Sequence, residues 1–187
     1  MGSVARLPRK VTFSDLQRLP EDGPRYELYD GELWEMPSPT LRHQVCAGRC
    51  YRLLADYADR TDGLAAPAPL DIVFSEYNVV QPDVVFFSAA RKGLINWDKP
   101  IRNAPDLVVE AISPSTERND RGRKLRMFTR YRVPEYWILE SIEHTIEVLA
   151  LRGDEYEVVQ TARCVETVVS ATLPDLVVPV SKVFVDC

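Results

Sequence analysis

PDLVVEAISPST, residues 105–116, contains one residue that breaks its own pattern. Leu107-Val108-Val109 and Ala111-Ile112 read as a strand buried on both faces, the kind found in a sheet covered by helices. Glu110 stands between them, where the pattern asks for another valine. Taking an ionised carboxylate out of water costs several kcal/mol unless a cation or a metal ion pairs with it.

The segment that follows supplies a cation. Ser113-Pro114-Ser115-Thr116 breaks the strand, with Ser115 or Thr116 as helix cap, and the pattern predicts a helix over about residues 117–132. On it Lys124, Met127, Phe128 and Tyr131 share the i, i+3, i+4, i+7 stripe that normally faces a core. A lysine there is as anomalous as a glutamate in the strand, and one anomaly can answer the other. Asp120, one turn earlier, offers the ammonium a second partner. Taken alone, the two residues make a structural ion pair that fastens helix to sheet.

A third residue points beyond a structural pair. Asp83 opens another apolar run, Pro82-Asp83-Val84-Val85-Phe86-Phe87. Carboxylates at adjacent strand positions repel, and a divalent cation relieves the repulsion. Mg²⁺ is typically held by one or two carboxylates, with water and substrate phosphate completing its octahedron. Two acids and a lysine suit metal-assisted phosphodiester hydrolysis.

Elsewhere the chain alternates helix and strand signals. Thr12 and Asp15 form a capping box on a short helix that ends before Pro20. RYELYDGELWEM, residues 25–36, reads as a hairpin turning at Asp30-Gly31. A helix is predicted from Thr40 to about Asp59, with Gly63 ending it. Strands follow at Leu64-Ala66, Leu70-Phe74 and Pro82-Phe87, then mostly loop from Ser88 to Ala104, where Trp97 has no assigned partner. Pro134-Leu139 is a further buried strand, and residues 144–159 form a hairpin turning at Gly153-Asp154. LPDLVVPVSKVF, residues 173–184, reads as strand or loop and then a short helical turn. The order predicts an α/β fold, a mixed central sheet flanked by helices, in one domain spanning residues 1–187. QPDVVFF, APDLVVEAI and LPDLVVPV look alike, but their flanks differ and only the middle copy carries a glutamate deep in its strand, so no repeat is inferred.

Composition narrows the class. The 187 residues are 45% hydrophobic and 27% charged, which is globular composition. No apolar run reaches membrane-spanning length, and the N-terminus has no apolar signal region, so a cytoplasmic protein without a membrane partner is the expectation. Four cysteines, far apart except for the helical pair Cys46 and Cys50, and with no CxxC, predict reduced thiols rather than a disulfide framework. The net charge of −5 argues against a surface that coats nucleic acid throughout. Yet Arg118, Arg121, Arg123, Lys124, Arg126, Arg130 and Arg132 crowd one segment, opposed locally by Glu117 and Asp120. That helix is either a solvated face or a polyanion-binding one.

Five segments together resemble the Uma-type restriction endonuclease family, within the PD-(D/E)XK, restriction-endonuclease-like superfamily. They are RYELYDGELWEMPSP with RHQ shortly after, VVQPDVVFF, PDLVVEAISPST, DRGRK and VPEYWILE. The resemblance implies an αβββαβ core, Mg²⁺ (or Mn²⁺) as cofactor and DNA as substrate. It places the superfamily's first acid on Asp83, its second on Glu110 and a further metal ligand on the Ala111 carbonyl. The superfamily's lysine should stand at position 112, which is Ile112 here; in this family it is relocated to the next helix, at Lys124. Glu27 resembles a supplementary acid. His43 matches the family's RHQ, and stands open between pocket residue and helix-start histidine. Arg118, Arg121 and Arg123 would meet the nucleic acid, and a homodimer is expected, since superfamily members often act as dimers. Arg132 departs from the family's usual glycine, and Glu140-Ser141 from its Asp-Pro.

Other chemistries fit poorly. His43, Cys46 and Cys50 share a helical face, but that face continues into Leu53, Leu54 and Tyr57 and reads as core rather than metal site. Ser113 and Ser115 lack a GxSxG elbow, and no phosphate-binding glycine loop is present. Trp137 reads as core. A metal-dependent endonuclease is the leading reading; a catalytically inactive nucleic-acid-binding or interaction protein on the same fold is the alternative.

Overall fold

The computed structural model describes residues 9–20, 22–112 and 117–187. Ser113, Ser115 and Thr116, with the helix cap expected there, lie outside the described residues.

A capping box between Thr12 and Asp15 starts α1 (Phe13–Leu16). The expected hairpin forms from β1 (Tyr26–Tyr29) and β2 (Glu32–Glu35). Asp30 (φ 51°) and Gly31 (φ 83°) both take the left-handed conformation that a two-residue hairpin turn requires. Thr40 caps α2 (Leu41–Thr61), accepting a hydrogen bond from the His43 amide. The helix runs two residues past the expected end and stops at Asp62, which adopts the left-handed C-cap conformation. Gly63 has a different task, because a Cβ there would lie 2.6 Å from the Phe86 ring and 2.9 Å from the Phe87 carbonyl oxygen.

The main sheet has the order β10-β9-β8-β7-β6-β3. Its strands are β3 (Leu64–Pro67), β6 (Val84–Phe87), β7 (Leu107–Ile112), β8 (Glu135–Glu140), β9 (Thr145–Arg152) and β10 (Glu155–Arg163). All pairs are antiparallel except β7–β8, so the sheet is mixed as expected. A second sheet, β2-β1-β5-β4, adds β4 (Ile72–Ser75) and β5 (Asn78–Val80); the latter three-residue strand is too short to show a period in sequence. A ribbon of β11 (Thr167–Val169) and β12 (Val177–Pro179) precedes a 3₁₀ turn, Val180–Lys182. The stretch expected to be loop contains one helical turn, α3 (Ala89–Lys92), and Trp97 is largely exposed.

Period-two alternation divides the core. Leu107, Val109 and Ala111 of β7, with Trp137 and Leu139 of β8, face Cys46, Cys50, Leu54 and Tyr57 of α2. Val108, Ile112, Tyr136 and Ile138 face Met127 and Phe128 on the opposite side. Glu110 therefore points toward the crossover between β7 and β8, away from α2. That crossover is not one α-helix. It comprises α4 (Glu117–Asn119), a π-helical turn at Asp120–Lys124 and α5 (Leu125–Arg130). Such π turns are rare and concentrate at functional sites.

One cysteine expectation is corrected. Cys164 and Cys187 form a disulfide, while Cys46 and Cys50 are free and buried. Twenty-three positions separate the pair, and only folding brings the chain's last residue beside the β10–β11 turn.

Glu135 shows how this chain satisfies a buried carboxylate without a cation. Trp137, Ser170, Ala171 and Thr172 all donate hydrogen bonds to it. Arg132 explains a departure noted in the sequence. It holds φ 59°, a conformation natural to glycine, while its guanidinium donates to the Gly153 carbonyl and to Asp154. Arg132→Gly should therefore be more stable than Arg132→Ala by about 1 kcal/mol in urea denaturation, since both lose the guanidinium contacts and only alanine keeps the backbone penalty. Equal stabilities would show that the backbone there carries no penalty.

Candidate active site

Continuing the β6–β7 register of Val84 with Val109 brings Asp83, just before β6, opposite Glu110. Asp83 is fastened from two directions. Its Oδ2 accepts the Ala111 amide at 2.8 Å, and its Oδ1 lies 2.9 Å from Nε2 of His43 in the first turn of α2. His43 thus lines the pocket as well as standing near the helix start, so the two readings of it coincide.

Lys124 reaches the same place from the π turn. Its Nζ donates to Glu110 Oε1 at 2.7 Å, and lies 3.4 Å from Glu27 Oε1 and 3.5 Å from Asp120 Oδ1. In an α-helix, residues at i and i+4 are offset by about 40° around the axis; a π turn, with its wider repeat, aligns them more closely. Asp120 and Lys124 are both 2% exposed and Glu110 3% exposed. Glu27, expected as the supplementary acid, is fully buried. It accepts hydrogen bonds from the Tyr29 hydroxyl and from the Gln81 amide. Asn119 donates in turn to the Tyr29 oxygen, so strand, turn and helix are tied around one ammonium.

Charge is unbalanced here. Four carboxylates, Glu27, Asp83, Glu110 and Asp120, gather about one lysine. Burial above all pushes Glu110 well above the ordinary carboxylate range; Lys124 pulls in the other direction, and Asp83, Asp120 and Glu27 add to the upward push. Burial works against the Lys124 charge, but Glu110, Glu27 and Asp120 hold its pKa well above the usual lysine value. Burial also keeps the hydroxyls of Tyr29 and Tyr136 protonated. Among the described residues, carboxyl groups outnumber the cations Lys124 and Arg25 around the pocket.

The cavity among Arg25, Thr40, His43, Gln81, Asp83 and Glu110 has a volume of about 60 Å³. That admits an ion with a few waters and excludes a nucleotide. Gln81 Oε1 is buried with no hydrogen-bond donor among the described residues, one more oxygen that a cation or its water would satisfy. All the donors are hard oxygens, so the residues fit Mg²⁺ or Mn²⁺.

The structure brings together Asp83, Glu110, Ala111, Lys124, Glu27 and His43. It separates the three arginines expected at the nucleic acid. Arg121 turns to Glu147 in a bidentate pair at 2.6 and 3.0 Å, and also meets Glu117. Arg118 is exposed, and Arg123 lies flat on the Trp34 ring at 3.4 Å. Sequence reasoning had Asp120 only as a partner for the lysine, and it missed Tyr29 and Gln81. Gly122, in the middle of the turn, was the one local signal that the helix there is irregular.

A family model described as "Uma2: Putative restriction endonuclease" matches residues 13–181. A curated Synechocystis sp. protein, described as uncharacterised, is 29% identical over 118 residues, which is 63% of this chain and 60% of that protein's length. A crystal structure described as "a putative nuclease belonging to DUF820", from Anabaena variabilis, superposes with a TM-score of 0.73 at 18% identity. The superposition covers 92% of this chain and 97% of that one, and shows the fold.

Because the folded-state pKa of Glu110 lies above its unfolded value, its stabilising contribution is complete below the unfolded value, near 4.5, and is lost as pH rises through the folded one. Compared with Glu110→Gln, the metal-free protein should lose resistance to urea as pH rises above that point. Parallel stability–pH curves for the two proteins would assign the effect to another group.

Proposed function

Because the chain belongs to the Uma2 family, whose description is "Putative restriction endonuclease", we propose that it is a Mg²⁺-dependent endonuclease hydrolysing DNA phosphodiester bonds. The observation that carries this reading is the cluster of buried carboxyl groups around Lys124, which Glu27, Glu110 and Asp120 all share.

Asp83 and Glu110, with the Ala111 carbonyl, would hold the ion, and Mn²⁺ is the alternative. The chemistry a bound ion supplies is a more acidic water and neutralised phosphoryl oxygens. The protein's own groups do the rest. His43 and the Ala111 amide fix the Asp83 carboxylate by hydrogen-bonding both of its oxygens. Lys124 is held charged by its acidic neighbours and positions the attacking water or donates to the developing phosphoryl charge. Glu27 and Asp120 keep the ammonium within the pocket. The small cavity keeps the nucleotides outside, so the phosphodiester meets these groups as the strand crosses the mouth. Arg25 at the rim and Arg118 on the exposed side would attract the backbone.

The 2.7 Å contact between Lys124 and Glu110 favours a second reading, a structural ion pair in a non-catalytic nucleic-acid-binding protein of the same fold. Stability separates the two: a structural pair predicts that Glu110→Gln unfolds the protein, whereas a metal site predicts a folded variant that no longer binds the ion. Titration calorimetry with Mn²⁺ should show binding that Asp83→Asn abolishes; binding that survives would refute the assigned ligand set. Lys124→Ala should slow nicking of supercoiled plasmid by about 100-fold or more, and undiminished nicking would remove the lysine from the mechanism.

A further inference from the structure

Next to the carboxylate pocket lies a second and much larger depression, a groove of about 590 Å³ against about 60 Å³ for the pocket. The two adjoin through the consecutive residues Arg123, which lines the groove, and Lys124, which lines the pocket, and through Tyr29, which lines the groove and bonds Glu27 beside Lys124. Lys124 turns inward to the acids while Arg123 turns outward to the groove. The groove wall carries four cations, Lys10, Arg123, Arg126 and Arg130, against two carboxylates, Asp30 and Glu32. Arg130 is paired with Asp30 at 2.7 Å. Arg123 and Arg126 have no ion-pair partner among the described residues, in contrast to Arg121, two residues before Arg123.

Arg123 is placed by a ring instead. Its guanidinium centre lies 3.4 Å from the centroid of Trp34, on the outer strand β2 of the four-stranded sheet. Trp34 donates from Nε1 to Glu32 at 3.4 Å, and both Trp34 and Arg123 are half-buried. A guanidinium stacked this closely is held flat, because the ring removes the freedom that a long side chain otherwise keeps. A flat, charged plane beside a groove of nucleotide size is a stacking surface for a base, and base–aromatic and base–arginine stacking is how proteins hold unpaired nucleic acid. A paired base has both faces covered by its neighbours and cannot lie on such a plane without leaving the helix.

We propose that the Trp34–Arg123 pair is a base-stacking platform that selects single-stranded or locally unpaired DNA, with one unstacked base lying in the groove while its phosphate reaches the carboxylate pocket. The inference rests on the nuclease reading above and names the substrate class of that site. Arg126 and Lys10 track the backbone, and Trp34 is a positioning residue that acts through Arg123.

The test is fluorescence anisotropy of a labelled oligodeoxythymidylate, free or annealed to its complement, titrated with the full chain in EDTA so that nothing is cleaved. The single strand should bind more tightly than the duplex. Trp34→Ala should weaken single-strand binding about tenfold, while Trp34→Phe, which keeps a ring, retains most of it. Arg123→Lys keeps the charge, and so the salt dependence, but should lose a similar factor for want of a plane. Circular dichroism melting of each variant confirms that it is folded, and the phenylalanine and lysine variants carry the test if alanine does not fold. Equal binding of strand and duplex, or undiminished strand binding by Trp34→Ala and Arg123→Lys, would overturn the platform. That result, alongside intact Mn²⁺ binding and plasmid nicking, leaves the nuclease reading standing. Failure of the unmodified protein to bind Mn²⁺ or nick plasmid strikes the nuclease reading instead.

Discussion

One ammonium organises this molecule's active end. Lys124 is 2% exposed and has three carboxylates within 3.5 Å, from β1, β7 and the π turn. Remove its charge and three acids from three separate elements face each other in a low-dielectric space, where repulsion between ions is several times stronger than in water. Keep it, and the hairpin, the central strand and the crossover are drawn to a point. With Asp83 included, one ammonium stands among four carboxyl groups. In the proposed reading, a divalent cation would relieve that imbalance.

The contrast with Glu135 sharpens the point. Both glutamates are buried in adjacent strands of the same sheet. Glu135 is answered by donors from Trp137, Ser170, Ala171 and Thr172, which disperse its charge and lock a loop to the sheet. Glu110 is answered chiefly by a lysine that two other acids share, and burial, with Asp83, Asp120 and Glu27 nearby, holds back its ionisation. A chain able to solve the problem with backbone and hydroxyl donors solved it differently at Glu110. Position accounts for the difference. Glu135 opens β8 inside the fold, whereas Glu110 lies near the end of β7, where a pocket reaches the surface.

Much of the architecture was legible because local rules and burial agree. Asp30-Gly31 announced its hairpin, Thr12 and Thr40 their helices, and the apolar runs around Glu110 at residues 107–112 and after Glu135 at residues 136–139 their place in the middle of a sheet. Glu110 and Lys124 were conspicuous because each breaks its own element's pattern, and a broken pattern in a buried element needs a partner. Asp120 was visible only as a neighbour of the lysine. Its side chain stands on the π turn, and an i→i+5 turn leaves no period that a five-residue segment can display.

The primary structure by itself determined the element order, the mixed sheet, and three of the residues that meet in the pocket, since charges out of pattern and turn residues act over a few positions. Tertiary structure alone decided the rest. It turned Arg121 toward Glu147, laid Arg123 on Trp34, joined Cys164 to Cys187 and set His43 against Asp83. Each of those pairs links segments from 23 to 89 positions apart. Such contacts arise from the packing of whole elements, and no local spacing encodes which far surface a side chain will meet.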